Sequence, residues 1–233
     1  MLRMFMAADS KAKRTLIGAS MIKFSSSLSV IWGSVNIYFF SYLKHHGEII
    51  DSTTNSKLLL YAIIPAILSV MIANPFSRLV GYRNAIRTCA ILFILSPMVI
   101  NWKFNLLIFG IFWMIIPILC FCIAGIPLLN CLWTQFPKDL NKISGLAILM
   151  FSLGMIFWNL CFMYMINPDN IRAEIDASGL PIFPEEVANR IFKTSNIIFG
   201  MAGVINIVGS FMIHKRQSVL EEPINEDSKE VSE

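Results

Sequence analysis

Six stretches of this chain are apolar enough to cross a lipid bilayer, and they constrain the fold more than any other feature. They are residues 24–43, 58–77, 88–102, 104–137, 143–168 and 194–214. A spanning helix needs about 20 mostly apolar residues, which all but the third stretch supply. Lipid offers no partner for backbone N–H and C=O groups, and the stretches lack the alternation typical of barrel strands. The sequence therefore predicts spanning helices.

Composition agrees with this interpretation. Only 15% of the 233 residues are charged and 56% are hydrophobic, which is too little charge to cover a soluble domain. A net charge of +4 is too small to indicate nucleic-acid binding. Lys103 is the only charge between Arg87 and Lys138, so it separates the third stretch from the fourth, which is long enough to include a loop. We expect an all-α, polytopic bundle of six transmembrane helices.

Basic residues between the stretches predict the orientation. With a cytoplasmic N-terminus, eleven Lys and Arg residues lie on the cytoplasmic side and six on the outer side. Cytoplasmic loops accumulate Lys and Arg, so both chain ends are expected in the cytoplasm. The cytoplasmic set is Arg3, Lys11, Lys13, Arg14, Arg78, Arg83, Arg87, Lys138, Lys142, Lys215 and Arg216, and the outer set is Lys44, Lys57, Lys103, Arg172, Arg190 and Lys193.

The predicted organisation has three parts. Residues 1–15 form a cytoplasmic segment, residues 16–216 form the transmembrane domain, and the acidic residues 217–233 form a disordered tail. Within the domain, residues 167–193 make a long outer loop in which Pro184 and the following acids suggest a short helix. The five cysteines lie inside apolar runs without C-x-x-C spacing, so they predict neither a disulfide nor a metal site.

The first stretch carries an unusual number of polar side chains. Ser25, Ser29, Trp32, Asn36 and Phe40 share one helical face by their spacing. Such a face lines either an aqueous cavity or a close helix–helix contact, and the sequence leaves both readings open. At the edge of the same stretch, Lys23 is expected to extend toward the lipid headgroups.

A basic turn between the second and third stretches reads NPFSRLVGYR (residues 74–83). It resembles the signature loop of the major facilitator superfamily, in which Gly-Pro is followed by Asp-Arg and then by Gly and a basic residue. Pro75, Gly81 and Arg83 match. The family's acid, which takes part in a cytoplasmic charge relay linked to gating, is Arg78 here, and its arginine is Leu79. The replacement puts that gating mechanism in doubt for this chain.

Further segments resemble the oxalate:formate antiporter and monocarboxylate transporter branch of that superfamily. WGSVNIY (32–38) with the following Ser41-Tyr42 is similar to its first helix, and GIPLLNCLW (125–133) with Phe136-Pro137 is similar to its fourth helix and the loop after it. Ser144-Gly145, Gly154 and Asn159 resemble its fifth helix. INPDN (166–170) and FPEEVANR (183–190) resemble its outer fifth loop.

This resemblance implies a specific architecture. Family members have about twelve helices in two six-helix halves, each half built from two inverted three-helix repeats, with substrate bound between the halves. The chain corresponds to the N-terminal half. In the oxalate:formate branch, the cationic residues that bind the dicarboxylate lie in the C-terminal half, so none can be assigned here.

The sequence thus predicts a multi-pass transport protein that moves a small organic anion, a monocarboxylate or dicarboxylate, by alternating access. Trp32, Asn36, Tyr38 and Asn130 are the expected cavity residues, which stack on or hydrogen-bond to substrate, while Gly81, Arg83 and Arg87 hold the cytoplasmic gating loop. The expected partners are the lipid bilayer, the anion, and a second half or a second copy of the chain.

Two alternatives remain open. The chain is either a truncated, non-transporting relative that serves as a structural or accessory membrane subunit, or a part of a longer chain with six further spans. No catalytic residues, metal, cofactor or nucleic-acid partner are predicted, because no Ser–His or Asp–Asp pair at helical spacing and no H-E-x-x-H motif occurs.

Overall fold

The computed structural model of the protein describes residues 9–51, 53–99, 105–176 and 179–214, and most of them are helical. The predicted disordered tail, residues 217–233, lies outside the described residues, as do residues 1–8 of the predicted cytoplasmic segment. Helix α1 begins at Ser10, inside that segment, and Ala12 and Leu16 are buried. The bundle therefore begins earlier than the sequence predicted.

The helices and strands follow one another along the chain with short connections. They are α1 (Ser10–Ser26), a 3-10 helix (Ser27–Val30), α2 (Trp32–His45), α3 (Thr54–Val80), α4 (Tyr82–Met98), α5 (Leu106–Phe109), a π-helical segment (Gly110–Ile115), α6 (Ile116–Gln135), α7 (Leu140–Ile166), β1 (Glu174–Ile175), β2 (Pro181–Ile182), α8 (Glu185–Ala188) and α9 (Ile191–Phe211). Strands β1 and β2 pair antiparallel, with Glu174 opposite Ile182.

Four helical segments are long and apolar enough to cross a membrane: Ser56–Val80, Leu106–Gln135, Leu140–Ile166 and Glu185–Phe211. A fifth is added if the bent pair Ser10–Val30 and Trp32–His45 is one span. Helix α4 has 17 residues, at the short end of what a bilayer requires. The prediction of an all-α bundle with membrane-spanning helices is confirmed at this level, and the fold is compatible with a multi-pass membrane protein.

The first stretch is broken, where the sequence predicted one continuous helix over residues 24–43. The helix axis bends by 46° between Val30 and Trp32. Serine hydroxyls just before the bend donate to the backbone one turn back: Ser27 Oγ to Phe24 O at 2.7 Å and Ser29 Oγ to Ser26 O at 2.8 Å. Such side-chain bonds compete with the helical ladder and tend to bend helices, which accounts for the position of the break.

The fourth stretch contains no loop, and the prediction of one within residues 104–137 is wrong. Residues Leu106–Gln135 form one continuous helical run. Its irregularity is the π-helical segment Gly110–Ile115, immediately before Pro117. Proline lacks an N–H and clashes with the carbonyl four residues earlier, so a wider turn before it keeps the helix unbroken.

The helices pack in a regular pattern. Helix α1 packs most extensively on α9 and α7, helix α6 on α3 and α4, and α4 on α9, while α1 and α6 touch at the centre. Glycines allow the closest approaches. A Cβ on Gly209 of α9 would lie 2.7 Å from the backbone oxygen of Gly18 on α1, and one on Gly154 of α7 would clash with the backbone of Phe24. Small residues of this kind let membrane helices approach at backbone distance.

One end of the bundle, called here the inner end, gathers the start of α1, the α3–α4 and α6–α7 turns and the end of α9. His214 O accepts hydrogen bonds from Thr15 Oγ1 at 3.4 Å and from Gln135 Nε2 at 3.1 Å. An apolar cluster beneath them joins Leu16, Ile86 and Phe136. These connections are the ones that the orientation prediction assigned to one side of the membrane.

The opposite, outer end is closed by the segment between α7 and α9. Phe183 N donates to Ser41 Oγ at 2.9 Å, and Phe183 O lies 2.8 Å from His45 Nε2. Lys44 forms an ion pair with Asp176 beside the two-stranded sheet. The predicted short helix after Pro184 is confirmed as α8. The outer segment is therefore bound to the end of α2.

Candidate functional site

The side chain of Lys23 lies inside the bundle, at the contact between α1 and α6. Its Nζ lies 5.1 Å from the centre of the Phe121 ring. Gly125, one turn further along α6, leaves the space that the ammonium occupies, since a Cβ there would lie 3.5 Å from Nζ. Within the described part of the chain, the ion pairs do not include Lys23. The site thus presents one cation, a ring face and no carboxylate.

The depth of this ammonium follows from the shared level of Thr15, Gln135 and His214 at the inner end. Lys23 lies about 12 Å along α1 from Thr15, and Phe121 lies about 21 Å along α6 from Gln135, at about 1.5 Å per helical residue. Because Nζ contacts the deeper residue, the side chain points toward the middle of the bundle. This is opposite to the extension toward the headgroups that the sequence predicted.

A small enclosed space adjoins Lys23 between α1, α4, α6 and α9. Its polar lining consists of Lys23, Ser26, Cys89, Cys120 and Asn206. Its volume of about 10 Å³ is close to the minimum that holds one water molecule. A carboxylate substrate requires more room, so in this conformation the space beside Lys23 is closed.

The two thiols of this lining contact each other, with Cys89 on α4 hydrogen-bonded to Cys120 on α6. All five cysteines are free, and none takes part in a disulfide. The thiols contribute weak donors and acceptors to a surface that is otherwise apolar.

Trp32 and Tyr38, predicted to line a cavity, are instead packed in the interior. Trp32 is 6% exposed, and its ring centre lies 5.4 Å from Phe109 and 6.1 Å from Trp113. Tyr38 is 4% exposed and stacks on Phe183 at 4.4 Å, with an interplanar angle of 9°. Both rings stabilise the outer half of the bundle through aromatic packing.

The other two predicted cavity residues are half-buried. Asn36 lies on α2 and Asn130 on α6. Like Trp32 and Tyr38, neither lines the space beside Lys23. The structure therefore does not bring the four predicted residues together around that space.

The polar face predicted on the first stretch has a packing explanation at its serine positions. Ser25 is fully buried and its hydroxyl donates to Ile22 O at 3.2 Å, just as the Ser29 hydroxyl donates within its own turn. Hydroxyls satisfied by their own helix require no aqueous cavity. Of the two readings that the sequence left open, helix packing holds for these serines.

The predicted gating-loop residues Gly81, Arg83 and Arg87 do lie together. They line a pocket of about 490 Å³ at the α3–α4 turn. Gly81 has φ 84°, a conformation that side chains rarely adopt, and it is the only residue between the two helices. The guanidinium of Arg87 lies 4.5 Å from the ring centre of Phe211 on α9.

A larger groove of about 760 Å³ lies between α3 and the Leu106–Ile115 region. Its walls are mainly apolar side chains, among them Leu58, Ile64 and Leu107. Large exposed apolar residues cover this part of the surface, as expected where helices face lipid. Its chemistry does not indicate a site for an anion.

Fold and site together define a helical membrane protein with a cation inside its bundle. No known protein family matches the chain, and neither the curated proteins nor the solved structures contain a match to it.

Sequence reasoning assigned the wrong direction to Lys23, the residue around which this site is built. One signal was available: a lysine in a long apolar region opposite a glycine-containing helix. Choosing between the two directions required knowing that α1 and α6 are neighbours.

Proposed function

We propose that this protein is one half of a facilitator-type transporter and moves a small organic anion, a monocarboxylate or dicarboxylate, by alternating access. The observation that carries the proposal is the ammonium of Lys23, directed into the bundle beside Phe121 and without a carboxylate partner in the described residues. A lysine at the bilayer centre costs about 2.5–3.5 kcal/mol on insertion scales, so a cation retained there indicates a functional role.

The packing pattern supports an architecture of two inverted three-helix repeats with six spans. If the spans are α1–α2, α3, α4, α5–α6, α7 and α9, exchanging the first three with the last three maps the α1·α7 contact onto α6·α3 and α1·α9 onto α6·α4. The α1·α6 and α4·α9 contacts map onto themselves. Because adjacent spans run in opposite directions, the two triplets are inverted relative to each other, as in many secondary transporters.

In this arrangement Lys23 lies where the two central helices, α1 and α6, meet on the pseudo-twofold axis. Substrate sites of such transporters lie at the repeat interface near the midplane. Asn36 and Asn130 are proposed to hydrogen-bond the anion when the site opens. Trp32 and Tyr38 would reach it only after α2 moves, because their rings are packed against Trp113 and Phe183.

Alternating access requires a second six-helix unit, which is proposed to be another copy of the chain or a separate half. Helices α3 and α7, equivalent under the exchange, expose many large apolar side chains, including Ile67, Met71, Ile156 and Leu160. The basic residues at the inner end support an orientation with both ends of the chain in the cytoplasm.

The test is uptake into proteoliposomes containing the purified chain, with oxalate and lactate as labelled probes. Lys23→Met should reduce uptake by about tenfold or more, since a hydrogen bond to a charged group contributes about 1.5–3 kcal/mol. Lys23→Arg should retain part of the activity. Lys57→Met is the matched control, because Lys57 is exposed in the outer loop region.

Stability gives a second measurement of the same variants. Lys23→Met removes a desolvated charge, so its melting temperature should be equal to or above that of the native chain. Uptake that is unchanged by Lys23→Met, or equally reduced by Lys57→Met, would contradict the role assigned to Lys23.

A non-transporting accessory subunit is the second candidate. It is favoured by the burial of Trp32 and Tyr38 and by Arg78 at the position of the family's acid. In that case no labelled anion enters, either with the chain alone or with co-reconstituted second halves, and Asn36→Leu leaves assembly and phenotype intact. A transport defect caused by Asn36→Leu in a correctly assembled protein would reject this candidate.

A further inference from the structure

We propose that the pocket at the α3–α4 turn binds the phosphate group of an anionic lipid headgroup. The pocket has a volume of about 490 Å³. Apart from Gly81, its lining is polar or basic: Ser77, Arg78, Tyr82, Arg83, Asn84 and Arg87. It lies at the inner end, since Tyr82 and Ile86 pack in the same apolar cluster as Leu16 and Phe136.

The positive charge of this pocket has no compensation nearby. No acidic residue occurs in the sequence between Asp51 and Asp139. Among the ion pairs of the described residues, none includes any of the three arginines. The Nε of Arg87 is buried and has no hydrogen-bond partner within the described chain. Three guanidinium groups around one concavity require an anion, and their planar donors match phosphate oxygens in pairs.

Backbone donors add to this attraction. Helix α4 begins directly after Gly81, which has no side chain to cap it, so the first N–H groups of α4 lack an acceptor from a capping residue. The N-terminus of a helix carries partial positive charge and is a common position for phosphate. At the adjacent end of α3, Val80 O already accepts from Asn84 Nδ2 at 3.0 Å, so this carbonyl is occupied by a donor.

A lipid, rather than free phosphate, is indicated by the residue beside the arginines. Leu79 is 85% exposed and lies between Arg78 and Val80 in the same turn. An exposed leucine next to arginines at the end of a spanning helix is typical of the membrane interface, where the leucine contacts acyl chains and the arginines contact headgroups. Basic pockets between transmembrane helices are known positions for such headgroups.

The experiment measures lipid binding to the full chain in detergent by native mass spectrometry, with dioleoyl phosphatidylglycerol and dioleoyl phosphatidylcholine as probes. The test variant is Arg78→Gln with Arg83→Gln. Both side chains are exposed, whereas Arg87 packs on Phe211 and is left unchanged. The affinity for phosphatidylglycerol should fall about tenfold or more, since each lost hydrogen bond to a charged group contributes about a factor of ten.

The matched control removes the same charge at the other inner turn, through Lys138→Gln with Lys142→Gln. Both lysines are exposed, so affinity should change by less than about threefold. Arg78→Lys with Arg83→Lys should give an intermediate loss, because lysine keeps the charge but not the paired donors. Phosphatidylcholine should bind weakly to all variants.

Three results would overturn the proposal. An equal loss in the lysine control would mean that lipid binds to diffuse charge. Displacement of phosphatidylglycerol by an equal concentration of inorganic phosphate would identify free phosphate as the ligand. Phosphatidylglycerol binding that occurs only in a chain ending at Arg216 would mean that carboxylates of the acidic residues 217–233 occupy the pocket.

Discussion

Gly154 of α7 provides a direct test of how closely the first and seventh helices pack. A Cβ at this position would lie 2.9 Å from the carbonyl carbon of Phe24 and closer still to its oxygen and to Ser27 Oγ. Carbon atoms in contact are ordinarily about 3.5–4.0 Å apart, so Gly154→Ala must push the two backbones apart. The obstacle is backbone in α1, which cannot rotate away as a side chain would.

The expected cost combines three effects. Overpacking of a well-packed interior costs about 1–3 kcal/mol. Moving α7 away also lengthens the hydrogen bond from Trp158 Nε1 to Phe24 O, now 2.9 Å, and interhelical hydrogen bonds in membranes contribute about 0.6–1.7 kcal/mol. Replacing glycine by alanine in a helix returns about 0.5–1 kcal/mol. The net destabilisation expected is about 2 kcal/mol.

Gly145 is the matched control on the same helix. Nothing lies within 4 Å of a Cβ built there, so Gly145→Ala should be neutral or stabilising. The measurement is the unfolding free energy of the purified protein in mixed micelles, from titration with sodium dodecyl sulfate followed by circular dichroism. If Gly154→Ala proves as stable as Gly145→Ala, α1 and α7 do not pack at the distance described, and the reasoning fails.

Three further predictions concern the ends of the bundle. Cysteines introduced as Arg83→Cys and Glu185→Cys should react with a membrane-impermeant reagent from opposite faces of sealed vesicles, and labelling from the same face would contradict the topology. Hydrogen bonds from two threonines lower the pKa of Asp51 from 3.8 to about 2, so its stabilisation of the start of α3 is present above pH 3.8 and lost as pH falls toward 2. Faster hydrogen exchange there over that pH range, absent in Asp51→Asn, is expected. Ser41→Ala should cost about 1 kcal/mol and increase exchange around Phe183, whose N–H binds the serine hydroxyl; unchanged exchange would contradict this contact.

Hydropathy predicted much of the fold because lipid-facing helices carry their signal in every residue. The stretch at residues 143–168 corresponds closely to α7, and the stretch at 58–77 lies within α3. The bend after Val30 was not predicted, because it depends on which of several hydroxyls donates to the backbone, and composition does not contain that information. The continuity of Leu106–Gln135 was also missed, since a run longer than the bilayer is thick can be either a tilted helix or a hairpin.

The candidate site was less predictable than the fold. The polar residues of the first stretch were recognised as unusual, but whether Trp32 faces a cavity or other rings depends on Phe109 and Trp113, which lie far away in the sequence. The direction of Lys23 likewise depends on the neighbouring helix. The arginines of the α3–α4 turn were found because they lie close together along the chain, where sequence alone brings them into one place.

The exchange of packing partners between the two triplets has a consequence for biosynthesis. Helix α1 packs mainly on α7 and α9, and α3 mainly on α6, so the first helices to be translated lack their principal neighbours until the last helix has been made. During that interval the nascent chain must keep an unpaired lysine and several glycine surfaces in lipid or beside the insertion machinery. The three N-terminal helices are therefore not an independent folding unit, and assembly of the bundle must be largely post-insertional.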